Sequence, residues 1–417
     1  MMQYKSELLA VLHQRGFIHQ CTDEGALDRY LAGGRRRGYI GYDATADCLH
    51  VGHLMCLMLQ RWMVATGHQP IILMGGGTTK IGDPSGKDET RKLLTPETIA
   101  GNIQALRTVI ERFVPLAAGD DDTGALVMNN ADWLDGLNYI DMLRMVGRHF
   151  TINRMLTFES VKGRLSREQP LTFLEFNYMI LQAYDFLELS RRQDCRLQLG
   201  GADQWGNIVC GVELARRMDS REIFGLTVPL LVTASGAKMG KTAQGAVWLD
   251  QARLSAYDYW QFWRNTDDED VGRFLGFFTE LPMDQVARLT ALKGQDLNHA
   301  KQILATEATA IAHGRQAAQA AAKSAVTTFA GGMGTDLPSW VIPKARLSEP
   351  GVSVIDALLA LAFAASRSEA RRLIRGGGAR LDGVVITDEA AMIPPTWESS
   401  TLRVSAGKKR HGILRQE

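Results

Sequence analysis

Through its first half the chain alternates short apolar runs with longer stretches of helical period. Pro70-Ile71-Ile72-Leu73-Met74 runs directly into Gly75-Gly76-Gly77. Ala125 to Asn130 is a second apolar run, and Cys195 to Leu199 leads into Gly200-Gly201. Each reads as a strand, the first buried, and the first and third end in glycine turns. Between them, 54–66 and 173–189 read as helices. Strand–helix alternation predicts an α/β domain with a mostly parallel sheet. Glycines just beyond the strand ends are where such sheets place ligands.

From about residue 255 the period becomes helical, over 257–277 and over the alanine-rich 298–326. Phe329 to Pro338, rich in glycine, reads as a linker. The residues from 351 onward form a further unit: a helix carrying Arg367, Arg371 and Arg375 one turn apart, then Gly376-Gly377-Gly378, then a strand pattern over Ala379 to Ile386.

Composition narrows the class. The 417 residues are 45% hydrophobic and 22% charged, with net charge +1, which excludes a polybasic nucleic-acid wrapper and an acidic tail. Residues 366–417 hold 10 Lys/Arg against 6 Asp/Glu, so the basic character gathers at the C-terminal end. No apolar run is long enough to span a bilayer, and the N-terminus does not read as a secretory signal. The five cysteines form no CxxC pair, which fits reduced thiols in the cytoplasm.

Five segments carry candidate chemistry. His50-Val51-Gly52-His53 sits at the expected start of a helix, where free N–H groups and a partial positive charge suit phosphate. Taken alone, two histidines at this spacing are also an ordinary surface or core pair, and no carboxylate or cysteine set beside them suggests a metal. Lys238-Met239-Gly240-Lys241-Thr242 follows a small-residue loop and suits a polyanion. It falls one residue short of a P-loop, whose glycine would stand at position 235. Tyr178, Gln182 and Asp185 share one face of an otherwise apolar helix, and such a polar stripe either meets another polar element in the core or lines a pocket. Gly82-Asp83-Pro84-Ser85-Gly86-Lys87 is a tight turn with Arg91 one helical turn beyond. Gly200-Gly201-Ala202-Asp203-Gln204-Trp205-Gly206-Asn207 ends a strand with side chains able to read a ribose and a carboxylate.

In order and spacing these segments resemble the class I aminoacyl-tRNA synthetases, and within them the bacterial tyrosine-specific group. His50 to His53 is similar to the first signature of that family and Lys238 to Thr242 to the second. The resemblance implies a Rossmann-like catalytic domain over 1–230, with an insertion and dimer region at about 130–165. It further implies a mobile lysine loop over 231–250, a helical anticodon-side domain over 251–330, a linker over 331–350 and a small RNA-binding domain over 351–417. Tyr39 and Asp185 would hold the substrate phenol. Asp83, Tyr178 and Gln182 would hold its ammonium group, and Gln204 its carboxylate side. Asp43, Thr45, His50 and His53 would grip ATP, with adenine over Gly52, the ribose on Asp203, and Lys241 and Thr242 at the phosphates. Lys87, Arg91, Lys238 and Lys241 would stabilise departing pyrophosphate.

The implied reaction is tyrosine–tRNA ligation: L-tyrosine and ATP, with Mg2+, give tyrosyl-adenylate, and the tyrosyl group passes to tRNA(Tyr). No organic cofactor, no resident metal and no membrane are implied, and a homodimer is. A row of arginines is often only a solvated helix face, but Arg367, Arg371, Arg372 and Arg375 beside a glycine turn favour RNA phosphates. Three alternatives stand beside it: a tryptophan-specific relative, a P-loop NTPase with an RNA-binding appendage, and a non-catalytic RNA-binding relative that has lost activity.

Overall fold

The computed structural model describes residues 4–85, 93–118, 123–234, 236, 239, 241–242, 245–329, 338–347, 351–395, 397, 401–407 and 410–416, with backbone alone at 241–242, 326–329 and 344–345. Lys87, Arg91 and Lys238 lie outside the described residues, as do the side chains of Lys241 and Thr242. The chain forms two compact units, 1–315 and 316–417.

The first unit is built on a six-stranded sheet. β1 is Gln20–Cys21, β2 Arg37–Tyr42, β3 Gln69–Met74, β4 Leu126–Asn129, β5 Leu197–Gly201 and β6 Phe224–Val228. Their spatial order is β1-β6-β5-β2-β3-β4. All neighbours are parallel except β1, which closes one edge antiparallel to β6. All six residues of β3 are buried, because crossover helices cover both faces of a parallel sheet. The chain winds outward from β2 through β3 to β4, then returns to β5 on the other side of β2. The crevice beyond the ends of β2 and β5 is therefore a topological switch point.

Helices in this unit start where the sequence supplies caps. Ser6 accepts a hydrogen bond from Leu9 N at the head of Glu7–Gln14, and Thr172 and Glu175 form a reciprocal cap at the head of Phe173–Phe176. Three expected helices are interrupted. The helix expected over 173–189 divides at Asn177, whose side-chain amide donates to Phe173 O at 2.6 Å and competes with the backbone there. The one expected over 257–277 becomes Ala256–Arg264 and Val271–Phe278, because the Asn265 amide caps Gln261 O at 2.7 Å. The one expected over 298–326 breaks at Gly314, whose φ of +88° suits glycine alone. Trp260, Trp263, Phe274 and Phe278 form the aromatic centre of this helical part. Arg15 fastens it to the N-terminal helix by donating to Gly276 O, Thr279 O and Leu281 O at 2.7–3.0 Å, with its guanidinium over the Trp62 ring.

A small hairpin joins β7, Lys241–Thr242, to β8, Gly245–Ala246. In a P-loop those two residues would begin a helix instead, so the P-loop alternative fails on local structure.

The second unit has its own core, centred on Val354, Leu358, Ile374, Val404 and Leu414. Its sheet has the order β11-β10-β12-β13-β9, where β9 is Ser339–Ile342, β10 Ala379–Leu381, β11 Val384–Ile386, β12 Thr401–Ala406 and β13 Arg410–Gln416. Two expectations change here. β9 lies inside the expected linker, because its backbone completes the sheet edge beside β13. The single strand expected over 379–386 is a hairpin, turned by Asp382 and Gly383 with φ of 44° and 86°.

Candidate active site

A cleft of about 660 Å³ opens at the switch point. Its lining includes Tyr39, Asp43, Thr45, His50, Gly52, His53, Asp83, Tyr178, Gln182, Asp185, Asp203 and Gln204. Every expected tyrosine- or nucleotide-binding residue whose side chain is described thus meets at one place, although the set spans 39–204.

The deep end of the cleft is built by β2, β5 and the helix Tyr178–Gln193. Tyr39 and Gln198 are register partners on β2 and β5, and both are nearly fully buried. The Tyr39 hydroxyl and Gln198 Oε1 hydrogen-bond to no described residue. A buried polar atom without a partner is costly, so both are suited to a polar ligand group. Beside them Asp185 is 2% exposed. Its Oδ1 accepts from Trp133 Nε1 at 2.7 Å and its Oδ2 from Asn130 Nδ2 at 2.9 Å. Burial, with a smaller push from the charges of Asp43 and Glu188, raises its pKa to about 7 against the pull of those two donors. Tyr39, buried and next to Asp185, has its phenol raised well above 10 and stays protonated as a donor.

A hydrogen-bonded chain links this end to the next. Asn130 also donates to Thr78 Oγ1 at 2.9 Å, Thr78 donates to Asp43 Oδ1 at 2.8 Å, and Tyr178 donates to Asp43 Oδ2 at 3.0 Å. A Cβ at Gly75 would fall 2.4 Å from Asp43 Oδ1, so glycine at that turn is what lets Asp43 sit there. Burial and the carboxylates of Asp43 and Asp83 hold the Tyr178 phenol protonated. Gln204 donates to Asp83 Oδ2 at 2.8 Å, and Asn207 donates to Gln182 Oε1 at 3.0 Å. The Asp83 turn is itself closed by Ser85 N donating to Asp83 Oδ1 at 2.8 Å. Carboxylate and carbonyl oxygens from Asp83 and Gln182 flank this stretch, an acceptor-rich environment for a cationic group. The polar stripe of the helix therefore does both things open to it: it lines the cleft and joins a buried network.

At the outer end Val51–His53 is a short 3₁₀ turn leading into the helix Leu54–Ala65. His50 Nδ1 accepts from Gly52 N at 3.0 Å, so a neutral ring carries its proton on Nε2. A Cβ on Gly52 would lie 2.6 Å from the His50 ring, so glycine permits this close turn. Asp203, in the turn after β5, lines the same end.

Comparison with known proteins agrees with this geometry. Residues 32–330 match the family model for class I tRNA synthetases of the W and Y type, and 355–395 match the S4 domain. The chain belongs to these class I synthetases. A tyrosine–tRNA ligase from Novosphingobium aromaticivorans is 58% identical over the whole of both chains. Another, from Rhodospirillum rubrum, is 59% identical over 99% of this chain and 98% of its own. Among solved structures, a C-terminally truncated mitochondrial tyrosyl-tRNA synthetase from Aspergillus nidulans superposes with a TM-score of 0.68 at 28% identity, covering 77% of this chain and 94% of that one.

For a synthetase of this family, three cleft-lining residues escaped the sequence reading, Thr78, Asn130 and Gln198, as did Trp133, which reaches the cleft through its hydrogen bond to Asp185. Asn130 had been visible only as the end of a strand, and Gln198 only as a polar interruption within one. Lys80, in the turn after β3, is paired with Asp135 at 2.6 Å on the surface. In the S4 unit, Arg367 pairs with Asp356, and Arg371 and Arg375 both face Glu389. Arg372 lies on the same helix, Arg367–Arg375, whose apolar side is Ala370 and Ile374. Among the described residues no group of three or more His, Cys, Asp or Glu is placed to hold a metal ion, and no helix is long and apolar enough to cross a membrane.

Proposed function

We propose that the chain is a tyrosine–tRNA ligase that activates L-tyrosine with ATP and transfers it to tRNA(Tyr). One observation carries the amino-acid choice. The cleft ends in a buried carboxylate, Asp185, next to the unpartnered buried hydroxyl of Tyr39. A phenol satisfies both groups, whereas a phenylalanine ring would strand them. The indole of tryptophan would bring an N–H donor but no acceptor for Tyr39.

The substrate ammonium group lies against Asp83, Tyr178 and Gln182, with Gln204 at the carboxylate. The carboxylate attacks the α-phosphorus of ATP and expels pyrophosphate, leaving tyrosyl-adenylate. The nucleophile is already ionised, so no general base is required, and catalysis rests on alignment and on stabilising phosphate charge. Asp43, Thr45, His50 and His53 act at ATP, the adenine rests against Gly52, and Asp203 holds the ribose. Lys87, Arg91, Lys238, Lys241 and Thr242 are assigned to the phosphates from the sequence signature. Mg2+ enters with ATP as its phosphate complex. A 2′- or 3′-hydroxyl of the terminal tRNA adenosine then attacks the tyrosyl carbonyl, the bond to the phosphate breaks and AMP leaves, and the tyrosyl ester forms on the tRNA.

The finer organisation follows the same reading: catalytic residues over 1–230, the lysine signature over 231–250, an anticodon-side helical part over 251–330, and an S4 unit whose arginines, Arg367, Arg371, Arg372 and Arg375, meet tRNA phosphates. The enzyme acts in the cytoplasm as a homodimer. Large apolar side chains exposed on the 130–165 region, among them Tyr139, Ile140, Met145 and Ile152, support a second copy as their cover. Charging of tRNA(Tyr) by the purified protein tests the function. Tyrosine esterified to that tRNA and to no other supports it, and charging with another amino acid defeats it.

A further inference from the structure

The two signatures are joined by a contact that neither contains. The hairpin β7–β8 runs on into Val247-Trp248-Leu249, and this strand is zipped antiparallel to Leu49-His50-Val51. Val51 N donates to Val247 O and Leu249 N donates to Leu49 O, both at 2.9 Å. His50 and Trp248 are the bridge partners between those two bonds, so their side chains leave the ladder on the same side. Their rings meet edge to face, with centroids 6.3 Å apart and planes at 69°. The Arg253 guanidinium stands 4.8 Å from the Trp248 ring centroid, and Arg253 is paired with Asp47, just upstream of the histidine signature. Both His50 and Trp248 line the cleft.

We propose that Trp248 is a positioning residue for adenylation: the backbone ladder brings the exit strand of the lysine signature against the histidine signature, and the Trp248 side chain then fixes the His50 ring at the nucleotide end of the cleft. This rests on the assignment of His50 to ATP under the proposed function. One ring nitrogen of His50 accepts from Gly52 N, and the rings of Trp248 and His53 pack beside it, with centroids 6.3 and 4.3 Å away. Loss of the indole removes one of these contacts and widens the range of orientations open to the ring at the nucleotide end. An edge-to-face aromatic pair is worth enough to change a rate about two- to twelvefold when its loss is felt only in the transition state.

The test is a double-mutant cycle on the full chain, read by tyrosine-dependent ATP–pyrophosphate exchange and by tyrosine affinity in equilibrium dialysis. Trp248→Leu keeps an apolar filler and is expected to lower kcat for exchange about two- to twelvefold with tyrosine affinity unchanged. Trp248→Phe restores an aromatic edge and most of the rate. In a His50→Ala background, Trp248→Leu is expected to add nothing further, because the two residues act through one ring. Arg253→Ala, on a partly exposed side chain, provides a second handle if Trp248→Leu loses its fold: the same parameter falls, again only while His50 is present. Losses that multiply in the double mutant, or a matching loss of tyrosine affinity, overturn the proposal. Absence of exchange in the unmutated protein would defeat the functional reading itself, whereas exchange indifferent to residue 248 would defeat this inference alone.

Discussion

Trp133 offers a sharp test of how the substrate pocket is tuned. Its indole N–H donates to Asp185 Oδ1 at 2.7 Å, opposing the burial that raises this carboxyl to about 7. A hydrogen bond to a charged acceptor contributes about 1.5–3 kcal/mol, and one pKa unit is about 1.4 kcal/mol. Trp133→Phe is therefore expected to raise the Asp185 pKa by a further one to two units, roughly. The ionised carboxylate is the form that accepts from the substrate phenol, so tyrosine binding is coupled to loss of this proton. Affinity is full above the pKa of the ligand-free site and falls about tenfold per pH unit below it. The variant moves that break to higher pH and weakens binding at neutral pH, while leaving affinity at high pH nearly unchanged. Tyrosine dissociation constants measured by equilibrium dialysis on both sides of neutrality read the break directly. A break at the same pH in both proteins would refute the reasoning. Stability carries the same signature. The folded-state value lies above the ordinary 3.8, so the contribution is fully present below that value and is lost as pH rises through about 7. Its upper size is on the order of 4 kcal/mol. The ligand-free protein should melt lower as pH rises over that window, and Asp185→Asn should flatten the trend.

Three further outcomes follow from the geometry. Gly52→Ala places a Cβ 2.6 Å from the His50 ring, so exchange should fall about ten- to hundredfold while tyrosine affinity holds; equal loss of both would contradict the placement. Arg15→Met leaves three carbonyls at the end of Val271–Phe278 without their donor and should cost at least about 3 kcal/mol in urea unfolding; a change near zero would mean that other donors replace it. Lys80→Ala removes a partly exposed ion pair with Asp135, so stability should change by less than about 1 kcal/mol and exchange not at all. A large drop in exchange would bring Lys80 into the site.

The residues legible in the sequence share a physical feature: each announces itself locally. Glycine turns after strands, two histidines at a helix start and a polar stripe on an apolar helix are short-range patterns. They located β3, β5 and the helix Tyr178–Gln193, and with them most of the cleft. Thr78, Asn130 and Trp133 gave no such signal. Their role arises only when β4 is laid beside β3 and the helix carrying Asp185 is packed over both, joining residues 52 to 55 positions apart. Gln198 is similar, since its meaning comes from standing opposite Tyr39 in a parallel register. The breaks at Asn177 and Asn265 were missed because helical period continues through them while a side-chain amide takes the backbone acceptor. Gly314 and the Asp382-Gly383 turn lay inside patterns that periodicity alone reads as continuous.

The central claim is that the Tyr39–Asp185 end of the cleft selects tyrosine for adenylation. ATP–pyrophosphate exchange on the purified protein, run with each of the twenty amino acids separately, tests it most directly. Exchange with tyrosine, and only background with phenylalanine and tryptophan, is expected. Exchange with tryptophan would contradict the assignment of the pocket, and exchange with none, in folded protein that binds ATP, would contradict the account as a whole.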